Sequence, residues 1–306
     1  MATARQFDFC RRRASTGVGS VSQPKQSVLS LLATQDRDQE QAEPLRVLFL
    51  AAHPDDETIG ASALLGRLQD RMVVFLTDGA PRDSRLWAPH IRGSRDAYAC
   101  ARAEEAASAL ACAGVRRERI TFLGGVDQEA VHELPVLLKA FREVVSEFQP
   151  AAIITHPYEG GHPDHDAAAL VAHLAARALE QPDRRVPKIL EMTSYHARNG
   201  GRVSGEFLPH IAAGNIAAGS EAEIKLTPEE RARKARMLGC YLSQWHVISD
   251  FPLEPERLRV APAHDFTAPP HAGSLWYETL GWPLTGVKWR EIVARALPQV
   301  SELTCH

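Results

Sequence analysis

The stretch Leu45–Gly60, LRVLFLAAHPDDETIG, constrains this chain most. Val47 to Ala52 is a continuous apolar run, the texture of a strand buried on both faces of a parallel sheet. Pro54 lacks an amide donor and biases His53 away from helical geometry, so the chain turns there. An apolar pattern that fits a helix resumes at Thr58. Buried strand, polar turn and helix make half of a βαβ unit. The turn falls at the strand's carboxyl end, where open parallel sheets place their ligands. His53, Asp55, Asp56 and Glu57 crowd ionisable groups at that point, which is costly unless they have partners. A metal ion is the simplest partner.

The same alternation continues. Strands are expected at Val47–Ala52, Met72–Thr77, Ile120–Leu123 and Ala151–Thr155. Helices are expected at Thr58–Leu68, Asp96–Ala113, Glu133–Phe148 and Asp164–Leu179, with Gly114 suited to follow the second as a C′ glycine. A further strand is expected over Lys188–Tyr195. Strands alternating with helices of this length indicate an α/β fold: a Rossmann-like, mostly parallel sheet with helices on both faces. After Gly200 the texture becomes rich in Gly, Pro and aromatic residues. A helix over Pro228–Cys240 has Thr227 as N-cap and Pro228 in its first turn. Phe251–Pro283 reads as loop, and Val287–Leu297 as a last helix. Residues 1–44 are polar and aperiodic and are expected to be a disordered extension. The remainder, 45–306, reads as one domain, with a core over 45–200 and a loop-rich, helical C-terminal part over 201–306.

Composition narrows the partners. The 306 residues carry a net charge of −3, so no global basic field argues for nucleic acid. Five cysteines are scattered with no CxxC pair, which argues against a disulfide framework or a thiolate zinc site and suits a reducing, cytoplasmic setting. No apolar run approaches the roughly 20 residues that span a bilayer. The sequence leaves the oligomeric state open.

A second polar cluster, Thr155-His156-Pro157-Tyr158-Glu159-Gly160-Gly161-His162-Pro163-Asp164-His165-Asp166, follows the fourth strand and precedes a helix. Neighbouring parallel strands lie about 4.8 Å apart, so loops from two strand ends can meet over the sheet edge. Two imidazoles and a carboxylate fit a catalytic zinc site with an open position for water. His53, Asp56 and His165 are the chosen ligands, because the first turn of a helix holds His165 more firmly than the loop holds His162. Asp55 is then free to act as general base. His162 can stabilise a developing oxyanion or protonate a leaving amine, with Asp164 orienting it. Taken singly, HPDD and HPDH could each be no more than a turn with helix-capping aspartates. Two such clusters, each between a strand and a helix, are much harder to explain structurally.

Ala52-His53-Pro54-Asp55-Asp56-Glu57 together with Gly161-His162-Pro163-Asp164-His165 closely resembles the PIG-L/LmbE family of zinc-dependent deacetylases. The likeness runs from about Leu45 to Ala178. It includes Thr77-Asp78-Gly79, Leu123-Gly124 and the pair Arg102 and Glu105, which match an R-x-x-E helix of the family. Later in the chain only KARMLGCYLSQ, Lys234 to Gln244, looks familial. The resemblance implies removal of an acetyl group from an N-acetylglucosamine-type conjugate. It implies zinc on His53, Asp56 and His165, a base at Asp55, an acid or electrostatic group at His162, and substrate contact by Arg102. Histidine and carboxylate ligands also suit ferrous iron. The alternatives are hydrolysis of a non-sugar C–N amide and non-catalytic sugar binding on the same fold.

Weaker candidates surround this set. His156 could support the metal ligands or be a satisfied structural residue. His132, His173 and His196 read as ordinary surface or helix residues. His246, His264 and His271 lie in the aromatic C-terminal part, where one could enter the site rim. Trp245, Trp276, Tyr277 and Trp282 could stack on a sugar or anchor loops. Arg82, Arg85, Arg92 and Arg95 form a basic loop, either a solvated face or a contact for an anionic substrate group. Gly124-Gly125 and Gly160-Gly161 are not a dinucleotide fingerprint.

Overall fold

The structure is a computed structural model, and it describes residues 44–179, 186–209 and 221–304. The expectation of a disordered extension therefore falls, but for its last residue, outside the described residues.

The central sheet has seven strands in the order β3-β2-β1-β4-β5-β9-β8. In chain order they are β1 (Val47–Ala51), β2 (Arg71–Thr77), β3 (Ile120–Gly125), β4 (Ala152–Thr155), β5 (Lys188–Met192), β8 (Glu221–Ile224) and β9 (Glu256–Val260). Strands β1 to β5 pair in parallel. Strand β9 runs antiparallel to both β5 and β8. The chain winds outward from β1 through β2 to β3, then returns to β4 on the other side of β1. The order thus reverses between β1 and β4, where the two histidine-bearing loops leave the sheet.

Helices cover both faces, as expected. They are α1 (Asp56–Arg67), α2 (Arg95–Cys112), α3 (Leu134–Phe148), α4 (Pro163–Arg177), α5 (Pro228–Leu238), α6 (Trp245–Ile248) and α7 (Gly286–Thr304). Alternation along β1 sends Val47, Phe49 and Ala51 against α1, α2 and α5, where Leu64, Leu65, Leu110 and Met237 meet them. Leu48, Leu50 and Ala52 face α3, α4 and α7, packing with Leu138, Phe141, Leu170 and Trp289. Every residue of β1 is fully buried, so its unbroken apolar run is what two covered faces require. Truncating Phe49 to alanine would cost about 3–5 kcal/mol. Among the described residues no helix is long and apolar enough to cross a membrane.

Three expectations need correction. The stretch Phe251–Pro283 is not all loop, because β9 lies within it. Its sequence ERLRV turns charged side chains inward: Glu256 accepts from Ser62 Oγ at 2.6 Å and from Lys234 Nζ at 3.0 Å. The strand expected over Lys188–Tyr195 ends at Met192, and the chain restarts as β6 (Tyr195–Arg198) paired with β7 (Gly201–Ser204) in a separate hairpin. Asn199-Gly200, with φ of 54° and 79°, makes the tight turn, an Asn-Gly signal available in the sequence. Finally, residues after 200 are woven into the core, since they supply β8, β9 and the helices α5 and α7.

Candidate metal centre and active site

The turn between β1 and α1 is built tightly. His53 N–H donates to Asp56 Oδ2 at 2.8 Å. Asp55 adopts φ 132°, a conformation that costs a non-glycine residue energy and persists only where surroundings impose it. Glu57 imposes it from below. Glu57 is fully buried and accepts from the Asp55 N–H at 3.1 Å, from Thr58 Oγ1 at 2.6 Å and from Tyr241 OH at 2.6 Å. The second loop approaches so closely that a Cβ on Gly161 would collide with the Tyr195 carbonyl oxygen. Only glycine fits there.

The two loops meet as the strand order allows. Asp56 lies between two imidazoles, with Oδ2 3.2 Å from His53 Nδ1 and Oδ1 3.2 Å from His165 Nε2. His53, His162 and His165 can each offer a nitrogen within 4.8 Å of the others. Burial pulls the Asp56 carboxyl upward, but His165 and His156 outweigh it and hold it well below the usual carboxylate range. Burial pushes His165 down to about 3, against the pull of Asp56. Burial and the neighbouring His53 do the same to His162, again to about 3. Both rings are therefore held neutral, the form that binds metals. Burial works against protonation of His53 too. Asp127 overcomes it, with hydrogen bonds to Asp164 and Asp56, and raises His53 well above its ordinary value.

Asp55 stands beside this cluster without belonging to it. Its Oδ2 accepts from Arg102 Nη2 at 3.1 Å. Burial raises its carboxyl to about 7, opposed by Arg102. His162 caps the amino end of α4 by accepting the Asp164 N–H on Nδ1 at 3.1 Å, which leaves the ring proton on Nε2.

Two sequence expectations move. Arg102 was expected against substrate; it is 2% exposed, and its guanidinium lies under the turn, donating to the Pro54 carbonyl at 2.5 Å as well as to Asp55. In this geometry it positions the carboxylate. Asp164 was expected to orient His162, but its Oδ2 is 4.0 Å from His162 Nδ1. It is held instead by the Gln128 and Ala130 N–H groups, at 2.6 and 3.1 Å, and faces His53 Nε2 at 3.1 Å. A single aspartate pinned by backbone amides is invisible in the motif GHPDH.

Asp127, after β3, escaped the sequence reading. It lies 3.2 Å from His53 Nε2 and 3.9 Å from His162 Nε2. An isolated aspartate in a turn carries no signal. His156 is fully buried, stacks on His165 at 4.0 Å and accepts the Ala52 N–H at 3.0 Å, and with Asp56 and His165 it forms a further group of possible metal donors. Trp282 faces the site, 5.0 Å from the His162 ring. Trp276 ties its loop to Gly160 through a backbone bond of 2.8 Å, while Trp245 is 53% exposed. Arg82, Arg85 and Arg95 pair with Glu129, Asp83 and Asp78. His196 is fully buried against Glu159, not a surface residue.

The donor set fits a divalent cation. Asp56, Asp127 and Asp164 are gathered with His53, His156, His162 and His165, and Arg102 pairs with Asp55 beside them. Buried carboxylates in excess of their counter-charge favour a cation among them.

Fold and site together define an α/β protein of the LmbE-like deacetylase fold. Two solved structures share that fold. The N,N'-diacetylchitobiose deacetylase from Pyrococcus horikoshii superposes with a TM-score of 0.52 at 18% identity, over 76% of this chain and 91% of that one. A deacetylase–teicoplanin complex from the teicoplanin biosynthesis pathway gives 0.52 at 18%, over 72% and 100%. Residues 48–176 match the model of the PIG-L family, GlcNAc-PI de-N-acetylase. Two curated relatives are 1D-myo-inositol 2-acetamido-2-deoxy-alpha-D-glucopyranoside deacetylases. One, from Saccharopolyspora erythraea, is 28% identical over 55% of this chain and 63% of its own length. The other, from Catenulispora acidiphila, is 31% identical over 45% and 50%. The chain thus spans between half and two thirds of the length of these two relatives.

Proposed function

We propose that this protein hydrolyses the acetamido group of an N-acetylglucosamine-type conjugate, a small molecule, with one divalent ion on His53, Asp56 and His165. The observation that carries this reading is the separation of two buried carboxylates on one turn. Asp56 is locked between two imidazoles, whereas the Asp55 carboxylate pairs with Arg102. Zinc is the first expectation for the ion, and ferrous iron suits the same ligands. Bound there, the ion would supply Lewis acidity to water and to the amide carbonyl. Asp55 takes the proton from the attacking water, and Arg102 holds that carboxylate in place. His162 keeps its Nε2 proton facing the site and donates it in a hydrogen bond to the developing oxyanion, while Asp55 passes the proton taken from water on to the departing amine. Asp127 sets the tilt of His53 and His162. The relatives' acetamido-sugar substrates support the sugar class, and Trp282 offers a ring wall for it.

The test is a screen of the purified full chain on N-acetylated amino sugars and their conjugates, with detection of the freed amine. Amine release from an acetamido sugar that vanishes on chelation bears the proposal out. Hydrolysis confined to non-sugar amides overturns the substrate class, and sugar binding without any amine release overturns the enzyme itself.

A further inference from the structure

Away from this centre, three elements bring a second set of metal-binding side chains together. His173 lies on α4, Glu191 on β5 and His264 just beyond β9. One ligand atom from each falls within 4.8 Å of the others. Glu191 is fully buried. Its Oε1 is 2.6 Å from His264 Nε2, and its Oε2 accepts from Arg259 Nε at 2.6 Å. One carboxylate oxygen is thus occupied and the other is aimed between the rings. The two imidazoles lie 5.4 Å apart and 73° to each other. His173 Nε2 is buried and has no hydrogen-bond partner among the described residues. His173 and His264 line a cavity of about 570 Å³, as does Ile189 two residues before Glu191 on the same strand.

A buried imidazole nitrogen without a partner is uncommon in a native interior and calls for an explanation. Water or a ligand could satisfy one nitrogen, but neither explains why a second imidazole and a pre-oriented carboxylate oxygen converge on the same point. The charge balance also suits a cation. Arg259 is shared between Glu191 at 2.6 Å and Glu159 at 3.0 Å, so the two carboxylates exceed this one cation. Two imidazoles and one carboxylate are a zinc-type donor set that leaves a coordination position open.

We propose that His173, Glu191 and His264 form a second divalent-cation site, separate in residues from the first, which takes zinc and opens on the adjacent cavity. The ion would replace the His264–Glu191 hydrogen bond, with the imidazole proton residing on Nδ1 or leaving to solvent. It would clasp α4, β5 and the segment after β9 at one point. Glu191 connects through Arg259 to Glu159, in the loop that carries Gly161 and His162, so the clasp would also steady that loop. None of this depends on the hydrolase reading.

The experiment uses the full chain, stripped with a chelator and titrated with Co²⁺ alone. A His53→Ala/His165→Ala variant removes the first centre; it should still bind about one equivalent of Co²⁺ with a visible d–d band. Adding His264→Leu should abolish that band. Absence of binding in the first variant overturns the proposal, and so does binding that survives His264→Leu. Should either variant fail to fold, the wild-type chain labelled with ¹⁵N-histidine is titrated with Zn²⁺ instead. Side-chain nitrogen shifts at His173 and His264 are expected, and unmoved resonances through the second equivalent overturn the site.

Discussion

Asp55→Asn removes one negative charge from the site and almost no volume. The side chain is buried, and its Oδ2 accepts from Arg102 at 3.1 Å. Deleting one partner of a buried ion pair outright costs about 3–5 kcal/mol. Asparagine keeps an acceptor oxygen in the same place, so the hydrogen bond survives and the loss shrinks to about 1–3 kcal/mol. Domains of this kind carry roughly 5–15 kcal/mol of stability, so the variant is expected to fold. The asparagine amide cannot take a proton from water. The expected fall in turnover is about 10² to 10⁴, the usual size of a general-base contribution, equivalent to roughly 2.7–5.4 kcal/mol in the barrier. His53, Asp56 and His165 are untouched, so metal content should match wild type. The assay is amine release at saturating substrate, with elemental analysis and a melting curve on the same preparation. A rate within twofold of wild type refutes Asp55 as the base. Loss of metal in this variant would move the ligand role from Asp56 to Asp55.

Asp56→Asn is expected to lose metal, since the carboxylate lies between His53 and His165; partial rescue of activity by excess zinc is the readout, and undiminished metal content counts against its role. Gly161→Ala should lower the melting temperature sharply, because its Cβ meets the Tyr195 carbonyl; an unchanged melting curve would mean that the two loops separate readily. Trp282→Ala should leave metal content intact while altering relative rates across several acetamido sugars, and unaltered ratios would make this ring an anchor only. Deleting residues 1–40 should leave the melting temperature and the rate unchanged, because the sequence of that segment lacks a periodic apolar face; a large drop in melting temperature would show docking of that segment.

The parallel half of the sheet was legible because its signal is local. A strand buried on both faces writes itself as an apolar run, as Val47–Ala51 does. The antiparallel half was not, for the opposite reason. In β9, Glu256 and Arg259 point inward and are satisfied by Lys234, Glu159 and Glu191, residues far away in sequence. No periodicity records such partners. The site divides in the same way. His53, Asp55, Asp56, His162 and His165 sit in two short motifs at strand ends, and topology alone brings them together. Asp127 comes from a third strand end with no motif, and Glu57 was visible in HPDDE but silent about its task. The positions of Arg102 and Asp164 depended on which backbone groups lay nearest, something that spacing does not encode.

The cap on α4 has a kinetic corollary. Since His162 Nδ1 is engaged by the Asp164 amide, its ring cannot exchange tautomers without breaking the first turn of that helix. If Asp55 and His162 hold the roles proposed, Asp55 takes the water's proton and hands it to the departing amine, while His162 keeps its Nε2 proton throughout. The carboxylate then ends the cycle unprotonated and the imidazole unchanged, so one side chain carries all the proton traffic. Rates would respond to deuterated solvent through that carboxylate and be indifferent to buffer concentration.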